Sequence, residues 1–266
     1  MRARIVLFDI DGTLVDCGGS GRTSMRLAFE RFSGEPDVLR DLRFGGMTDR
    51  GIVLHGLAKL GLPMDAERID QVLALYLAIL PEVLSQNARY RVIEGALAGV
   101  AAAFGAGAAV GLGTGNIKEG ARVKPGRADL FDRFPFGGFG CDSEERAELL
   151  RAGAERGALS VGRPLAECEV LIVGDTPRDV TAAHAIGARC LAVSTGGHGA
   201  AELAEAGADW VVPSLTTDQA LAVLRGVVHC YESQHGVRIG DAALVTAVRL
   251  ARRYVTITNI PKTAID

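Results

Sequence analysis

The stretch FDIDGTLVDCGG, Phe8 to Gly19, decides how this chain is read. It completes the apolar run Ile5 to Phe8, which has the character of a buried strand. In extended chain, residues i and i+2 project to the same side, so Asp9 and Asp11 emerge together. Two like charges that close repel, and one tends to keep a proton unless something positive lies beside them. An acidic pair closing a buried strand therefore predicts either a nearby cation or a shared proton.

Four further apolar runs read as buried strands: Ala108–Leu112, Val170–Val173, Cys190–Val193 and Trp210–Val212. Helical patterns such as DVTAAHAI (Asp179–Ile186) and AAELAEA (Ala200–Ala206) lie between the later ones. Strand and helix in alternation predict a Rossmann-like α/β core, a parallel sheet covered by helices. In such sheets the ligand site lies beyond the carboxyl ends of the strands. Three strands end there in polar signatures: FDID, GLGTGN and VGDTPRD.

Between Gly21 and Tyr90 the pattern changes. Met25–Phe32, Asp49–Leu60 and Arg68–Leu80 carry apolar residues at helical spacing, and no strand is evident. The expected organisation is a core over 1–16 and 91–224, an inserted helical cap over 17–90, and a helical tail over 225–266. A cap above a polar site would exclude water and read the substrate.

Composition sets bounds on function. The chain has 266 residues, 48% hydrophobic and 23% charged, with net charge −3. That length can bury a full core, and the charge advertises no broad basic surface for nucleic acid. The longest apolar run, Val72–Leu80, ends at Pro81 and is short for a membrane span. The start, MRARIVLFDID, has no signal-peptide pattern. The five cysteines (17, 141, 168, 190 and 230) show no metal-type spacing, so reduced thiols and a cytoplasmic location are expected.

DIDGTLVD, GTGN and GDTPRDV, in this order, resemble the motifs of the haloacid dehalogenase (HAD) superfamily. The likeness covers roughly residues 1 to 224. GGMTDRGI, FPFGGFG and AVSTGGHG narrow it to phosphoglycolate-phosphatase-like hydrolases with a helical cap. The resemblance implies Asp9 as the nucleophile toward phosphorus and Asp11 as general acid and base. It implies Mg²⁺ held by Asp9, the Asp11 backbone carbonyl and Asp175, with Asp179 binding a metal-bound water or orienting a cation. An acid at position 11 favours phosphate transfer over carbon–halogen cleavage.

Thr114 would donate its hydroxyl proton to a phosphate oxygen, helped by the Gly115 amide. Asn116 would contact substrate or cap the following helix, and Asp179 would double as an N-cap. No P-loop pattern occurs in the chain. The family's usual lysine has no clear counterpart. Arg146, in DSEERAEL, is the nearest, and Lys124, in RVKPG, is the rival, read more readily as a solvated helix-end lysine. Arg50 in the cap is the candidate for a second anionic group of the substrate. Cys17 and the five histidines are read as structural.

The sequence after Leu224 departs from this pattern. YESQHGVRI, DAALVTAVRLARRY and IPKTAID resemble part of the small helical subdomain of Clp-type AAA+ chaperones, without their ATP-binding motifs. Asp241 reads as an N-cap and Ala242–Tyr254 as an amphipathic helix. An exposed apolar face there would favour a homo-oligomer. The expected activity is Mg²⁺-dependent hydrolysis of a small anionic phosphomonoester such as phosphoglycolate. The alternatives are a sugar phosphomutase on the same core, or an interaction protein working through the tail.

Overall fold

The structure is a computed structural model that describes residues 2–224. Its centre is a six-stranded sheet in the order β5-β4-β1-β6-β7-β8, every neighbouring pair parallel. The strands are β1 (Ala3–Phe8), β4 (Ala109–Gly113), β5 (Gly137–Gly138), β6 (Cys168–Gly174), β7 (Arg189–Val193) and β8 (Trp210–Val212). The sequence predicts all of these but β5, which lies within FPFGGFG as a two-residue edge strand.

Both faces of the sheet are covered, so its strands are apolar throughout, yet the period of two is still visible. Val6, Phe8, Leu112, Val173 and Val193 enter one core. Ile5, Leu7, Ile172, Cys190 and Ala192 enter the other. The first core is covered by α4 (Ala96–Gly105), α5 (Lys118–Gly126) and α9 (Asp218–Leu224). The second is covered by α6 (Arg146–Ser160), α7 (Pro177–Ala185) and α8 (Ala200–Glu205).

Register brings the polar strand ends together. Phe8 pairs with Leu112 on one side and Val173 on the other. Asp9, Thr114 and Asp175 therefore follow three adjacent strands within a residue or two of the same level. The Asp9 amide donates to Val173 O at 2.8 Å, which ties the first loop to the last.

A two-stranded antiparallel ribbon, β2 (Val15–Asp16) and β3 (Arg91–Val92), frames the insertion. Between its strands lie α1 (Ser20–Ser33), α2 (Asp49–Lys59) and α3 (Ala66–Gln86), with a core of their own around Phe29, Leu57, Tyr76 and Leu80. The run that halts at Pro81 in the sequence does not end the helix there; α3 continues through Pro81 to Gln86. By length and composition α3 could cross a membrane, but Ile69, Val72, Leu73, Tyr76, Ile79, Leu80 and Leu84 are buried in the protein.

α9 closes the described structure. Leu215, Ala220, Val223 and Leu224 belong to the main core. The Arg4 guanidinium donates to Val223 O at 3.1 Å and Leu224 O at 3.2 Å, which ties α9 to the first strand. The expected tail over 225–266, with Asp241 and the helix Ala242–Tyr254, lies outside the described residues.

Candidate active site

The acidic pair resolves into two ion pairs. Asp9 and Asp11 leave β1 two residues apart, and Gly12, at φ +82°, turns the chain back so that its amide donates to Val15 O at 2.9 Å. Asp9 is buried and meets the Arg146 guanidinium, Nη2 to Oδ2, at 3.0 Å. Asp11, partly open to the cavity, takes the Lys124 ammonium at 2.7 Å and the Asn116 amide at 2.9 Å. Each carboxylate thus has its own cation.

Lys124 is not the solvated helix-end residue that its sequence context suggests. It is buried on α5, its Nζ donating to Asn116 Oδ1 at 2.5 Å as well as to Asp11. Asn116 lies just before α5 and Lys124 in its last turn, and the fold brings both to the Asp11 carboxylate. Burial works against the charged ammonium, but Asp11, Tyr76 and Asp49 outweigh it and hold the pKa well above the usual lysine value. Burial likewise opposes ionisation of Asp11, and there the Lys124 charge and the hydrogen bonds from Lys124 and Asn116 prevail, holding the carboxyl below the usual range.

Arg146 opens α6 and is buried between two acids. Nε and Nη2 donate to Asp179 Oδ1 at 2.9 and 2.5 Å, while Nη2 also reaches Asp9. Asp179 is not the N-cap of α7. That place belongs to Thr176, and Asp179 sits three residues on, closing a capping box by accepting from the Thr176 amide at 3.0 Å and hydroxyl at 2.7 Å. Both Asp179 oxygens are in use, so direct metal ligation by it would replace one of these bonds.

Asp9, Asp175 and Asp179 bring carboxylate oxygens within 4.8 Å of one another. One guanidinium faces all three. Burial lifts Asp175 to about 9, with Asp179 and Asp9 adding to the rise against Arg146. Burial also lifts Asp9 to about 6, opposed by Arg146 and reinforced by Asp179 and Asp11. Excess negative charge among hard oxygen donors fits a divalent cation such as Mg²⁺. Asp9 and Asp175 are the side chains best free to hold it, since among the described residues Asp175 accepts only a long 3.4 Å bond from Thr13. The Asp11 carboxylate faces away, toward Lys124; a contribution from Asp11 would come through its backbone carbonyl, as the family resemblance implies.

Two glycines make room for Asp175. A Cβ on Gly12 would stand 2.3 Å from Asp175 Oδ2, and one on Gly196 would stand 1.7 Å from the same atom. The TGGHG loop therefore presses its backbone against this acid, and Thr195 anchors it by donating to Gly12 O at 2.6 Å.

Thr114 is fully buried, and its hydroxyl accepts from the Asn116 backbone and side-chain amides at 3.3 and 2.8 Å. Its own proton remains to be donated. Asn116 does not cap α5, whose N-cap is Ile117 without a side-chain bond. Gly115 meets the cap: its carbonyl accepts from the Asp49 amide at 2.8 Å, and a Cβ there would lie 2.3 Å from Met47 O. Asp49 accepts in turn from the Ile117 amide at 2.9 Å, and burial lifts its carboxyl to about 6.

A cavity of about 480 Å³ opens between cap and core, bounded by Asp9, Asp11, Asp175, Thr114, Lys124 and Arg146 among others. Arg50 does not line it. Its guanidinium lies 3.4 Å from Glu144 and 3.9 Å from Asp70, so the cap residue singled out from the sequence is spent on its neighbours. Arg22, Asp49 and Tyr76 line the cavity instead, and none of them is a site candidate from the sequence. The Tyr76 hydroxyl is buried and has no partner among the described residues. Cys17 is buried with its thiol pushed up by burial, and His198 pairs with Glu202 at 2.8 Å. Cys17, Cys141, Cys168 and Cys190 are free thiols.

Residues 147–218 match the family model described as HAD-hydrolase-like, and residues 216–266 match an AAA lid domain. A hydrolase from Pseudomonas syringae shares the fold with TM-score 0.62 at 19% identity, over 81% of this chain and 94% of that one. A predicted phosphoglycolate phosphatase from Haemophilus somnus gives 0.57 at 16% identity, over 81% and 96%. A Bacteroides vulgatus protein described as a beta-phosphoglucomutase gives 0.56 at 20% identity, over 84% and 90%. At the other end, the ClpB chaperone of Bdellovibrio bacteriovorus is 46% identical over 56 residues, 21% of this chain but only 6% of that protein. The core therefore has the HAD-type fold, and the C-terminal stretch is similar to a fragment of Clp-type chaperones. The two family matches overlap at residues 216–218, just before and at the start of α9.

Proposed function

We propose that this chain is a Mg²⁺-dependent phosphomonoester hydrolase that works through an aspartyl-phosphate. One observation carries the reading: Asp9 and Asp11 are held by separate cations beside a buried cluster of three carboxylates. A structural acidic turn has no need of two buried cations.

Asp9 attacks phosphorus and the ester oxygen leaves. Arg146 keeps the nucleophile ionised and offsets charge on the transferring group, with Thr114 donating its hydroxyl proton to a phosphate oxygen. Asp9 and Asp175 would hold Mg²⁺, which would supply neutralisation of the phosphate charge. Asp11 protonates the leaving oxygen, then takes a proton from the water that cleaves the acyl phosphate. In the resting site the Lys124 ammonium holds Asp11 ionised. An arriving phosphate dianion competes for that ammonium and raises the Asp11 pKa toward the acid role. The substrate class is a small phosphate ester bearing a second anionic group, phosphoglycolate being the family-based example.

The test is phosphate release from a panel of small phosphomonoesters, with and without Mg²⁺, for wild type and Asp9→Asn. Metal-dependent turnover lost in Asp9→Asn supports the reading. A folded protein that releases no phosphate, or an Asp9→Asn variant as active as wild type, refutes it. Isomerisation of a sugar phosphate without phosphate release would favour the mutase alternative.

The lid-domain match at 216–266 supports a second role, interaction with other proteins through the tail. Removal of residues after Leu224 separates the two: hydrolysis persists and the interaction is lost.

A further inference from the structure

Four cations line the cavity: Arg22, Arg91, Lys124 and Arg146. Three have a carboxylate of their own. Arg91 pairs with Asp16 at 3.2 Å, Lys124 with Asp11 at 2.7 Å, and Arg146 with Asp9 and Asp179 at 3.0 and 2.5 Å. Arg22, in the first turn of α1, has no carboxylate partner among the described residues. Its guanidinium is fixed by other means: Nη1 donates to Leu39 O at 3.3 Å, Nη2 donates to Leu42 O, and the plane lies over the Phe44 ring at 4.2 Å. Two carbonyls and an aromatic face orient the group without cancelling its charge, and N–H donors are left over.

We propose that Arg22 binds the second anionic group of the substrate, a carboxylate at the end of the ester remote from phosphorus. The inference rests on the hydrolase reading of the same cavity. It moves substrate recognition from Arg50, which is tied to Glu144 and Asp70, to a residue held in place before the substrate arrives. Phe44, whose ring lies under the guanidinium, lines the same cavity.

The full-length protein is titrated calorimetrically, in Mg²⁺, with phosphonoacetate and with methylphosphonate, which differ in the carboxylate. Wild type is expected to prefer phosphonoacetate. Arg22→Met removes the charge but keeps an unbranched apolar side chain, and should weaken phosphonoacetate by roughly 10- to 100-fold while moving methylphosphonate less than about twofold. Arg22→Lys should restore part of the preference, and Arg50→Met should leave it intact. Circular dichroism melts confirm that each variant is folded. An unchanged preference in Arg22→Met, equal losses for both ligands, or a wild type without preference overturns the proposal while Mg²⁺-dependent methylphosphonate binding keeps the hydrolase reading. Failure of both ligands to bind wild type overturns both.

Discussion

Arg146 and Asp9 meet at 3.0 Å in the interior, and the same guanidinium nitrogen lies 2.5 Å from Asp179. One cation thus serves two buried carboxylates while a third, Asp175, stands close by. Removing it leaves buried charge uncompensated. Arg146→Met should cost about 3–5 kcal/mol in metal-free protein and abolish phosphate release. Arg146→Lys keeps the charge but loses the fork, and should retain some stability with a lower kcat. Urea denaturation and steady-state kinetics read the two effects separately.

Lys124 sets the protonation of Asp11. Its loss removes the chief influence holding that carboxyl below the usual range. The folded-state pKa of Asp11 then rises, and the protonated form persists to higher pH. If Asp11 is the general acid, Lys124→Met should move the alkaline limb of the kcat/KM profile upward. A limb that stays put would remove Asp11 from that role.

Asp49 gives a pH signature in stability. Its carboxyl is lifted by burial from 3.8 to about 6. Below about pH 3.8 both folded and unfolded chains are protonated there, and it costs nothing. Between 3.8 and 6 the unfolded chain releases the proton first, so stability falls as pH rises, by about 3 kcal/mol in total. Above 6 the full cost remains. Asp49→Asn keeps an acceptor for the Ile117 amide and escapes the titration. Its stability advantage over wild type in chemical denaturation should be largest at pH 7 and vanish near pH 4.

Gly196 tests the acidic cluster from the backbone side. A methyl group there would collide with Asp175. Gly196→Ala should destabilise the protein by about 1–3 kcal/mol and reduce its stabilisation by Mg²⁺. Thermal denaturation across a Mg²⁺ series shows the second effect as a smaller shift in Tm than in wild type.

Much of this was legible because the motifs sit at strand ends. Strand identity followed from short apolar runs, and parallel pairing from alternation with helices. What was not legible depended on burial across the chain. Lys124 and Arg50 look alike in sequence, each a cation on a cap or core helix. Only packing shows that Lys124 points inward at Asp11 while Arg50 is held by Glu144. α4, ALAGVAAAFG, is too uniformly apolar to show a helical period, and β2 and β3 are only two residues each. Asp179 was misplaced as an N-cap because the box places its carboxylate at the third helical position, behind Thr176.

α9 lies where the two family matches meet. The lid-domain match begins at Thr216, yet Ala220, Val223 and Leu224 fill the main core, and a Cβ on Gly95 would come within 2.4 Å of the Thr216 amide. The start of that match lies inside the hydrophobic interior rather than in a linker. Any exchange of the sequence after this point would have to keep apolar side chains where the sheet needs them. Compatibility there is decided over a handful of residues, before anything downstream is brought along.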